Sequence, residues 1–327
     1  MSKVRVGFVG CGGIARYHAD HLLKMDDVEI VAVYDPVEEQ MDRMLAMAPG
    51  GRKYSGYLDM YDNAKLDAVY VCIPPYLHGD IEVEAAKRGI NMYVEKPVAT
   101  DMETVKRVNQ SIEEAGIVSA VGFQDRYLDI IARAKEYIKG HEIGIVYGAW
   151  IGGIPGVPWW KRKAQSGGQI VEQSIHLIDI MRYFLGEAET VYSVGKAGIV
   201  KGIPDYDIED YSATVISFKN NVVATLFTGC YVSGQAPGIG NGITFVCRDV
   251  RIEYELRKHV RFIKKHSMKE YKTIEDAGMK ADRTFIDSVK AKDPSMVLSP
   301  YKDSMKSMEI ALAANQSIET GMPVKIG

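Results

Sequence analysis

The feature that most constrains the fold is a glycine-rich turn near the start of the chain. The segment GFVGCGGIARYH, residues 7–18, places Gly10, Gly12 and Ala15 in the spacing GxGxxA directly after an apolar strand pattern. Gly10 permits a tight turn, Gly12 lets the backbone approach a pyrophosphate, and the small Ala15 lets a helix pack closely. The following helix would present unpaired N–H groups to anionic oxygens. The segment therefore predicts the first strand, turn and helix of a dinucleotide-binding Rossmann fold.

The second predicted strand ends in an acidic residue that bears on the choice of cofactor. This strand, residues 29–35, ends in Asp35, whose carboxylate can accept hydrogen bonds from adenosine ribose hydroxyls and repel a 2′-phosphate. Residues 36–39 contain no lysine or arginine to pair with such a phosphate, so the sequence favours NAD over NADP. Asp35 could instead only open the turn at Pro36. The residues expected to contact the cofactor here are Gly10, Gly12, Gly13, Ile14 and Asp35.

Apolar runs and helical patterns alternate through the first third of the chain, which is typical of βαβ units and a doubly wound parallel sheet. The strand patterns cover residues 4–10, 29–35, 67–74, 90–95 and 117–123. Later residues show helices near 127–139 and 170–185, consecutive strands between 190 and 265, and a final helix near 303–320. We therefore predict a Rossmann domain over residues 1–123. The second domain, residues 124–327, is predicted to be an α/β domain built on a large, mostly antiparallel open sheet.

Charge and composition argue against several other classes of function. The chain has 327 residues and a formal net charge of -3, so it lacks the basic excess of nucleic-acid-binding proteins. No apolar run is long enough to span a membrane, and the N-terminus lacks a signal-peptide pattern. The four cysteines are widely spaced and the histidines show no zinc-ligand spacing, so we expect no disulfide and no metal site. His18 and His21 are expected on a helix surface. A cytoplasmic protein with a small-molecule partner, and with no nucleic-acid or membrane partner, fits these features best.

Two further segments follow predicted parallel strands directly. Ile73, Pro74 and His78 lie at or just after the end of the third strand, and Glu95 and Lys96 lie at the end of the fourth. Doubly wound sheets bind ligands at the carboxyl ends of their strands. A lysine is normally a solvated surface charge, but this one follows an apolar strand and precedes a proline that restricts its backbone. We expect these five residues to contribute to the cofactor site.

These motifs together resemble those of the Gfo/Idh/MocA oxidoreductases. The resemblance rests on GFVGCGGIARYH, on PPYLH at 74–78, on VEKP at 94–97 and on GGQIVEQSIHLIDIMRYFLG at 167–186, and it extends to the terminal IALAANQSIETGMPVKI. It implies a Rossmann domain followed by an α/β domain whose open sheet commonly makes oligomeric contacts, here in a homodimer or homotetramer. It also implies NAD(P)-dependent chemistry on sugars, cyclitols or their derivatives.

By position, the resemblance makes Lys96 the active-site lysine and His176 the catalytic histidine, and it places Glu172 where many relatives have an aspartate. From the residues alone, a continuous α-helix would bring Glu172, His176 and Asp179 onto one face. His176 would then take the proton of a substrate hydroxyl as hydride passes to NAD, and Lys96 would stabilise the developing alkoxide. Glu172 could be catalytic or structural. Arg126 and Trp160 are candidates to line the substrate pocket, although surface or packing roles fit them equally well.

Two other functions compete with a sugar or polyol dehydrogenase. One is glycoside hydrolysis through transient oxidation by a retained NAD, a chemistry found in a branch of the family that the chain resembles. The other is a noncatalytic nucleotide-sensing regulator, because fold alone does not fix function. The intact lysine and histidine positions argue against the regulator.

Overall fold

The computed structural model describes residues 3–234 and 240–327. The chain divides into two compact units. The first comprises the described residues up to Gln124 together with Asp276–Met305, and the second comprises Asp125–Glu275 and Lys306–Gly327. The first unit therefore includes a segment from far beyond residue 123, where the sequence pattern placed the end of the first domain.

The first unit is built on a six-stranded parallel sheet. Its strands are β1 (Val4–Val9), β2 (Val28–Tyr34), β3 (Arg52–Lys53), β4 (Ala68–Val71), β5 (Asn91–Val94) and β6 (Ser119–Val121), in the order β3-β2-β1-β4-β5-β6. The strand order reverses between β1 and β4, which pair in parallel with Phe8 opposite Tyr70. Such a reversal leaves a crevice at the carboxyl ends of the strands, where doubly wound sheets bind nucleotides. The predicted parallel Rossmann sheet is confirmed.

Helices connect these strands, and a distant helix covers one face of the sheet. The connecting helices are α1 (Gly13–Leu22), α2 (Glu38–Met47), α3 (Tyr57–Asn63), α4 (Asp80–Lys87) and α5 (Met102–Ala115), with a 3-10 turn at Pro75–Leu77. The distant helix, α9 (Ala277–Ala291), begins after Asp276, whose carboxylate accepts the N–H groups of Gly278 and Met279. Phe285 of α9 packs edge-on against Tyr70 and Tyr93, which stack on each other at 4.9 Å. Sequence patterning missed α3, α9 and the short strand β3.

The second unit contains a nine-stranded, mostly antiparallel sheet, as predicted. Its strands are β7 (Ile143–Ile151), β8 (Ala188–Lys196), β9 (Tyr211–Phe218), β10 (Val223–Gly229), β11 (Gly242–Cys247), β12 (Arg251–Glu255), β13 (His259–Lys264), β14 (Ser267–Lys272) and β15 (Val324–Lys325). Their order is β14-β13-β12-β11-β7-β10-β9-β8-β15, and the pair β7 and β10 is parallel. The sequence patterns missed β7, β14 and β15.

Helices cover one face of this sheet and leave the other face exposed. They are α6 (Asp129–Tyr137), α7 (Lys163–Ser166), α8 (Ile175–Leu185) and α10 (Tyr301–Thr320), together with a π-helix at Ile170–Ser174 and 3-10 turns at Gln124–Tyr127 and Trp159–Lys161. A further 3-10 turn, at Pro294–Met296, belongs to the first unit. Burial alternates along β9, where Ile216 is buried and Val215 is exposed. The exposed face carries a group of apolar side chains that includes Ile145, Tyr147, Tyr192, Val194, Tyr211, Val215, Val223 and Phe227. No helix in the described part of the chain is both long enough and apolar enough to cross a membrane.

Candidate active site

The glycine-rich turn lies between β1 and α1, as expected. Gly10 has φ 84°, and a Cβ on it would lie 2.2 Å from the carbonyl oxygen of Cys72, so only glycine fits. Gly12 immediately precedes α1, and Gly13 is the first residue of that helix. Apart from the adjacent residues and the backbone of α1 itself, no atom of the described chain lies within 4 Å of where a Cβ on Gly12 or Gly13 would be. The turn therefore leaves open space at the N-terminus of α1, as a pyrophosphate requires.

Asp35 lies next to this turn and fastens it to the end of β2. One of its carboxylate oxygens accepts the N–H of Cys11 at 2.8 Å, and the other accepts the N–H of Val37 at 2.8 Å. An ionised carboxylate has about four acceptor positions, so each oxygen retains a lone pair for a ribose hydroxyl. Burial, reinforced by the charge of Asp35, raises the pKa of the Cys11 thiol to about 12. Cys11 is therefore buried in the packing of the turn.

The loop after β4 is shaped by a buried histidine. His78 Nδ1 contacts Glu82 Oε1 at 2.5 Å, and the N–H of Gly79 donates to Glu82 Oε2 at 2.7 Å. The side chains of His78 and Glu82 are both fully buried. His78 Nε2 has no hydrogen-bond partner among the described residues. This burial favours a role in shaping the loop that follows Ile73 and Pro74, and the predicted contact between His78 and the cofactor stays a prediction.

The loop after β5 carries Glu95 and the half-buried Lys96. Glu95 is 6% exposed, and its Oε2 accepts the backbone N–H of Lys96 at 3.1 Å. The peptide bond between Lys96 and Pro97 is cis. The other carboxylate oxygen, Oε1, lies 3.0 Å from His18 Nε2. Glu95, which precedes the candidate catalytic lysine, is therefore held by His18, another residue of the first unit.

The prediction that His18 and His21 lie on a helix surface is wrong. Both are buried, and the Nδ1 atom of each lies 2.8 Å from a carboxylate oxygen of Asp282, on α9. Burial alone would lower the pKa of His18, but the charges and hydrogen bonds of Asp282 and Glu95 outweigh it and raise that pKa to about 10. His18, His21 and Asp282 each offer a ligand-type atom, all within 4.8 Å of one another. The nitrogen–oxygen contacts of 2.8 Å within this group have hydrogen-bond distances.

A helical pattern could have revealed this cluster. The buried residues of α1 include Ala15, His18, Ala19 and Leu22, which recur with the spacing of a helix face that packs on a core. A histidine within such a stripe is a candidate for burial with a charged partner. The partner itself could not be identified from local sequence, because Asp282 lies 264 residues beyond His18.

In the second unit, Glu172 and His176 lie where a π-helix passes into α8. Glu172 is 4% exposed within the π-helix, and His176 is 6% exposed in the first turn of α8. The His176 ring stacks on Trp150 with centroids 5.8 Å apart. Single π-turns inside helices occur frequently at functional sites. The expectation of one continuous α-helix through these residues is wrong, because the π-helix changes the angular offset between Glu172 and α8.

The two expected substrate-pocket residues, Arg126 and Trp160, have separate surroundings. Arg126 is 3% exposed, and its guanidinium contacts Asp179 at 2.6 and 2.7 Å as a two-point ion pair. Asp179 also accepts the hydroxyl of Ser307 at 2.7 Å. Trp160 is partly exposed in a 3-10 turn and stacks on Trp159 at 6.3 Å. Burial and pairing favour a structural role for Arg126, whereas the position of Trp160 is compatible with a pocket wall.

Comparison with known proteins supports the sequence-based family resemblance. Residues 4–123 match the oxidoreductase family with an NAD-binding Rossmann fold, and residues 131–253 match the GFO/IDH/MocA C-terminal domain. The chain is 31% identical over 224 residues to scyllo-inositol 2-dehydrogenase (NAD(+)) of Bacillus subtilis (strain 168), which covers 67% of this chain and 65% of that protein. It is 23% identical over 339 aligned positions to myo-inositol 2-dehydrogenase of Thermotoga maritima, which covers 99% of this chain and 98% of that protein.

A solved structure shows the same fold. Levoglucosan dehydrogenase, in complex with NADH and levoglucosan, is similar over 99% of each chain with a TM-score of 0.88 and 19% sequence identity. At this identity the likeness carries the fold alone. The family matches of both domains in sequence order, and the relative at 31% identity, show that the chain belongs to the Gfo/Idh/MocA family of oxidoreductases.

Proposed function

We propose that this protein is an NAD-dependent dehydrogenase that transfers a hydride between a CH–OH group of a sugar, cyclitol or related polyol and the nicotinamide. Relatives that act on inositols, and a similar structure that holds NADH with levoglucosan, support this substrate class. The observation that carries the proposal is the loop after β5. It holds a half-buried lysine directly beside a buried carboxylate, at the edge of the sheet where nucleotides bind.

The first unit has features that fit a dinucleotide. The space above Gly12 and Gly13 and the N-terminus of α1 suit a pyrophosphate, and Asp35 suits the ribose hydroxyls of NAD. NAD, when bound, supplies the hydride acceptor. The residues proposed to hold it are Gly10, Gly12, Gly13, Ile14, Asp35, Ile73, Pro74, His78, Glu95 and Lys96.

The proposed chemistry of the remaining residues follows from their side-chain types and burial. His176 takes the proton of the substrate hydroxyl, since an imidazole is suited to general base catalysis near neutral pH. Its stacking on Trp150 restricts the orientation of the ring. The Lys96 ammonium stabilises negative charge on the reacting oxygen, and the buried Glu172 orients the base. Trp160, which is partly exposed, contributes to substrate binding.

We also propose that the exposed face of the nine-stranded sheet joins copies of this chain in a homodimer or homotetramer. Tyr147 and Phe227 on this face border a cavity of about 430 Å³. A contiguous apolar patch of this kind often marks an interface between proteins. If the proposal holds, Val215→Lys combined with Phe227→Glu will shift the sedimentation coefficient from that of an oligomer to that of a monomer. A wild-type chain that sediments as a monomer would contradict it.

Location and substrate identity belong to the proposal as well. All four cysteines lie in the described chain and are free thiols, which fits a reducing compartment such as the cytoplasm.

The test of the proposed function is a screen of myo-inositol, scyllo-inositol, levoglucosan, D-glucose and glucose 6-phosphate with NAD or NADP, in which reduced nicotinamide is followed by absorbance. Reduction of NAD by a member of this panel, and its loss in Lys96→Ala, would support the proposal. Redox-neutral cleavage of a glycoside without consumption of added NAD, or NAD binding with no turnover of any compound, would overturn it.

A further inference from the structure

A continuous chain of polar contacts runs beneath the loop that carries Lys96. Asp282 Oδ1 lies 2.8 Å from His18 Nδ1, and His18 Nε2 lies 3.0 Å from Glu95 Oε1. Glu95 Oε2 in turn accepts the backbone N–H of Lys96 at 3.1 Å. All four residues of this series of contacts belong to the first unit, and the contacts connect α9 through α1 to the end of β5.

Burial and charge make this arrangement selective for an imidazolium at its centre. His18 is 2% exposed, Asp282 is fully buried and Glu95 is 6% exposed. Both ring nitrogens of His18 face carboxylate oxygens, and only the protonated ring has a donor on each nitrogen. A neutral ring would leave one of the two contacts without a proton, next to a buried carboxylate whose desolvation is then uncompensated. The two contacts therefore hold the ring in one orientation and favour its protonated form.

The other side of Glu95 is closed by a glycine. A Cβ on Gly122, immediately after β6, would lie 2.3 Å from Glu95 Oε1 and 2.7 Å from its carboxyl carbon. The carboxylate thus occupies a slot with His18 on one side and the Gly122 backbone on the other. A side chain at position 122 should therefore displace the Glu95 carboxylate from its place beside His18.

We propose that His18 and Asp282 are positioning residues for Lys96: Asp282 orients His18, His18 holds Glu95, and Glu95 fixes the backbone from which the lysine side chain extends. The effect of this positioning on turnover rests on the proposed function of Lys96. The constraint on the Lys96 backbone does not depend on that function. Neither residue was expected to take part in the site, because His18 looked like a surface residue and Asp282 lies in a helix that the sequence pattern missed.

The direct test measures hydrogen–deuterium exchange at the Lys96 amide in the protein without added cofactor. In His18→Gln, exchange at this amide should be faster on the order of tenfold, which corresponds to the loss of one hydrogen bond to a charged acceptor. The matched control is His21→Gln, because His21 is also buried on α1 and also bonds Asp282. That control should leave the Lys96 amide protected. Equal exchange at Lys96 in both variants and in the wild type would overturn the proposal.

A second variant keeps the proposal testable if His18→Gln does not fold. Gly122→Ala removes no charge and no hydrogen-bonding group, but it displaces Glu95 by contact. It should accelerate exchange at the Lys96 amide as well, and unchanged exchange there would overturn the proposal. Exchange at this amide that accelerates when a chelator is added to the wild type would also overturn it, because a bound metal, and not the imidazolium, would then hold the cluster.

Turnover separates failure of this inference from failure of the proposed function. With a substrate from the panel, His18→Gln should lower kcat roughly 10- to 100-fold, because the reacting group is misplaced, while the Kd for NAD changes little. If Lys96→Ala retains full turnover, the proposed function of Lys96 fails whatever the exchange data show. If Lys96→Ala abolishes turnover but His18→Gln keeps both the wild-type kcat and a protected Lys96 amide, the positioning role alone fails.

Discussion

The candidate residues of the two units differ in what holds them in place. In the first unit, Asp35 and Lys96 follow strands of one parallel sheet, so the topology of the sheet alone brings them to one edge. In the second unit, Glu172 and His176 depend on a π-turn, and their neighbour Asp179 is occupied by a buried ion pair. A regular sheet places functional groups by its connectivity, whereas an irregular helix places them by local packing. Substitutions should therefore have separable effects in the two units.

The largest effect is expected at the strand-end lysine of the first unit. Lys96→Ala should lower turnover roughly 100- to 1,000-fold, the usual cost of removing one group that stabilises a developing oxyanion. Thermal stability and most of the NAD affinity should remain, because the backbone contact of Lys96 with Glu95 is retained. Kinetics and calorimetry check this, with the exposed Lys106→Ala on α5 as the matched control. Near-normal turnover would remove Lys96 from the catalytic assignment.

Substitutions of His176 and Glu172 in the second unit should affect the proton-transfer step alone. His176→Asn keeps a hydrogen-bonding side chain but lacks a base, so turnover should fall by about 100-fold or more. Glu172→Gln should cost less, because an amide can still orient the ring. NAD affinity should change little in either variant, because all the residues proposed to hold NAD belong to the first unit. A loss of NAD affinity in His176→Asn that matches its loss of turnover would break the distinction between the units.

Sequence reasoning was effective where connectivity places the residues. The GxGxxA spacing, the acidic end of β2 and the position of Lys96 after β5 all follow from the alternation of strands and helices in the first unit. It failed where partners meet through long-range packing. Asp282 could not be assigned to His18 because α9 was missed, and Arg126 could not be assigned to Asp179 because local sequence does not show which charges pair in a core. The π-turn at Glu172 also departs from the regular period on which helix patterns depend.

A smaller effect is expected for cofactor preference at the end of β2. Asp35→Ser combined with Val37→Arg should shift the ratio of NAD to NADP affinity toward NADP by about 10- to 100-fold, the range set by losing one charge-assisted hydrogen bond. Because Asp35 also accepts the Cys11 N–H, Asp35→Asn serves as the control: it removes the charge and keeps an acceptor oxygen. Calorimetric titration with both cofactors checks the shift. Tighter binding of NADP by the wild type would show that Asp35 only supports the turn.

The last expected effect is on stability and not on activity, and it concerns the pH dependence of the free energy of unfolding in the first unit. The pKa of His18 is raised from 6.5 to about 10 in the folded protein, so between these values the folded state holds one proton more than the unfolded state. The stabilisation is complete below pH 6.5 and is lost as the pH rises through 10, with a slope of at most about 1.4 kcal/mol per pH unit. The neighbouring Tyr70 does not oppose this trend, because burial raises its pKa well above its usual value. Urea unfolding should show that the free energy of unfolding declines more steeply between pH 6 and pH 9.5 in the wild type than in His18→Gln. Parallel curves for the two proteins would mean that His18 is neutral when folded, and the buried imidazolium that distinguishes the first unit would be ruled out.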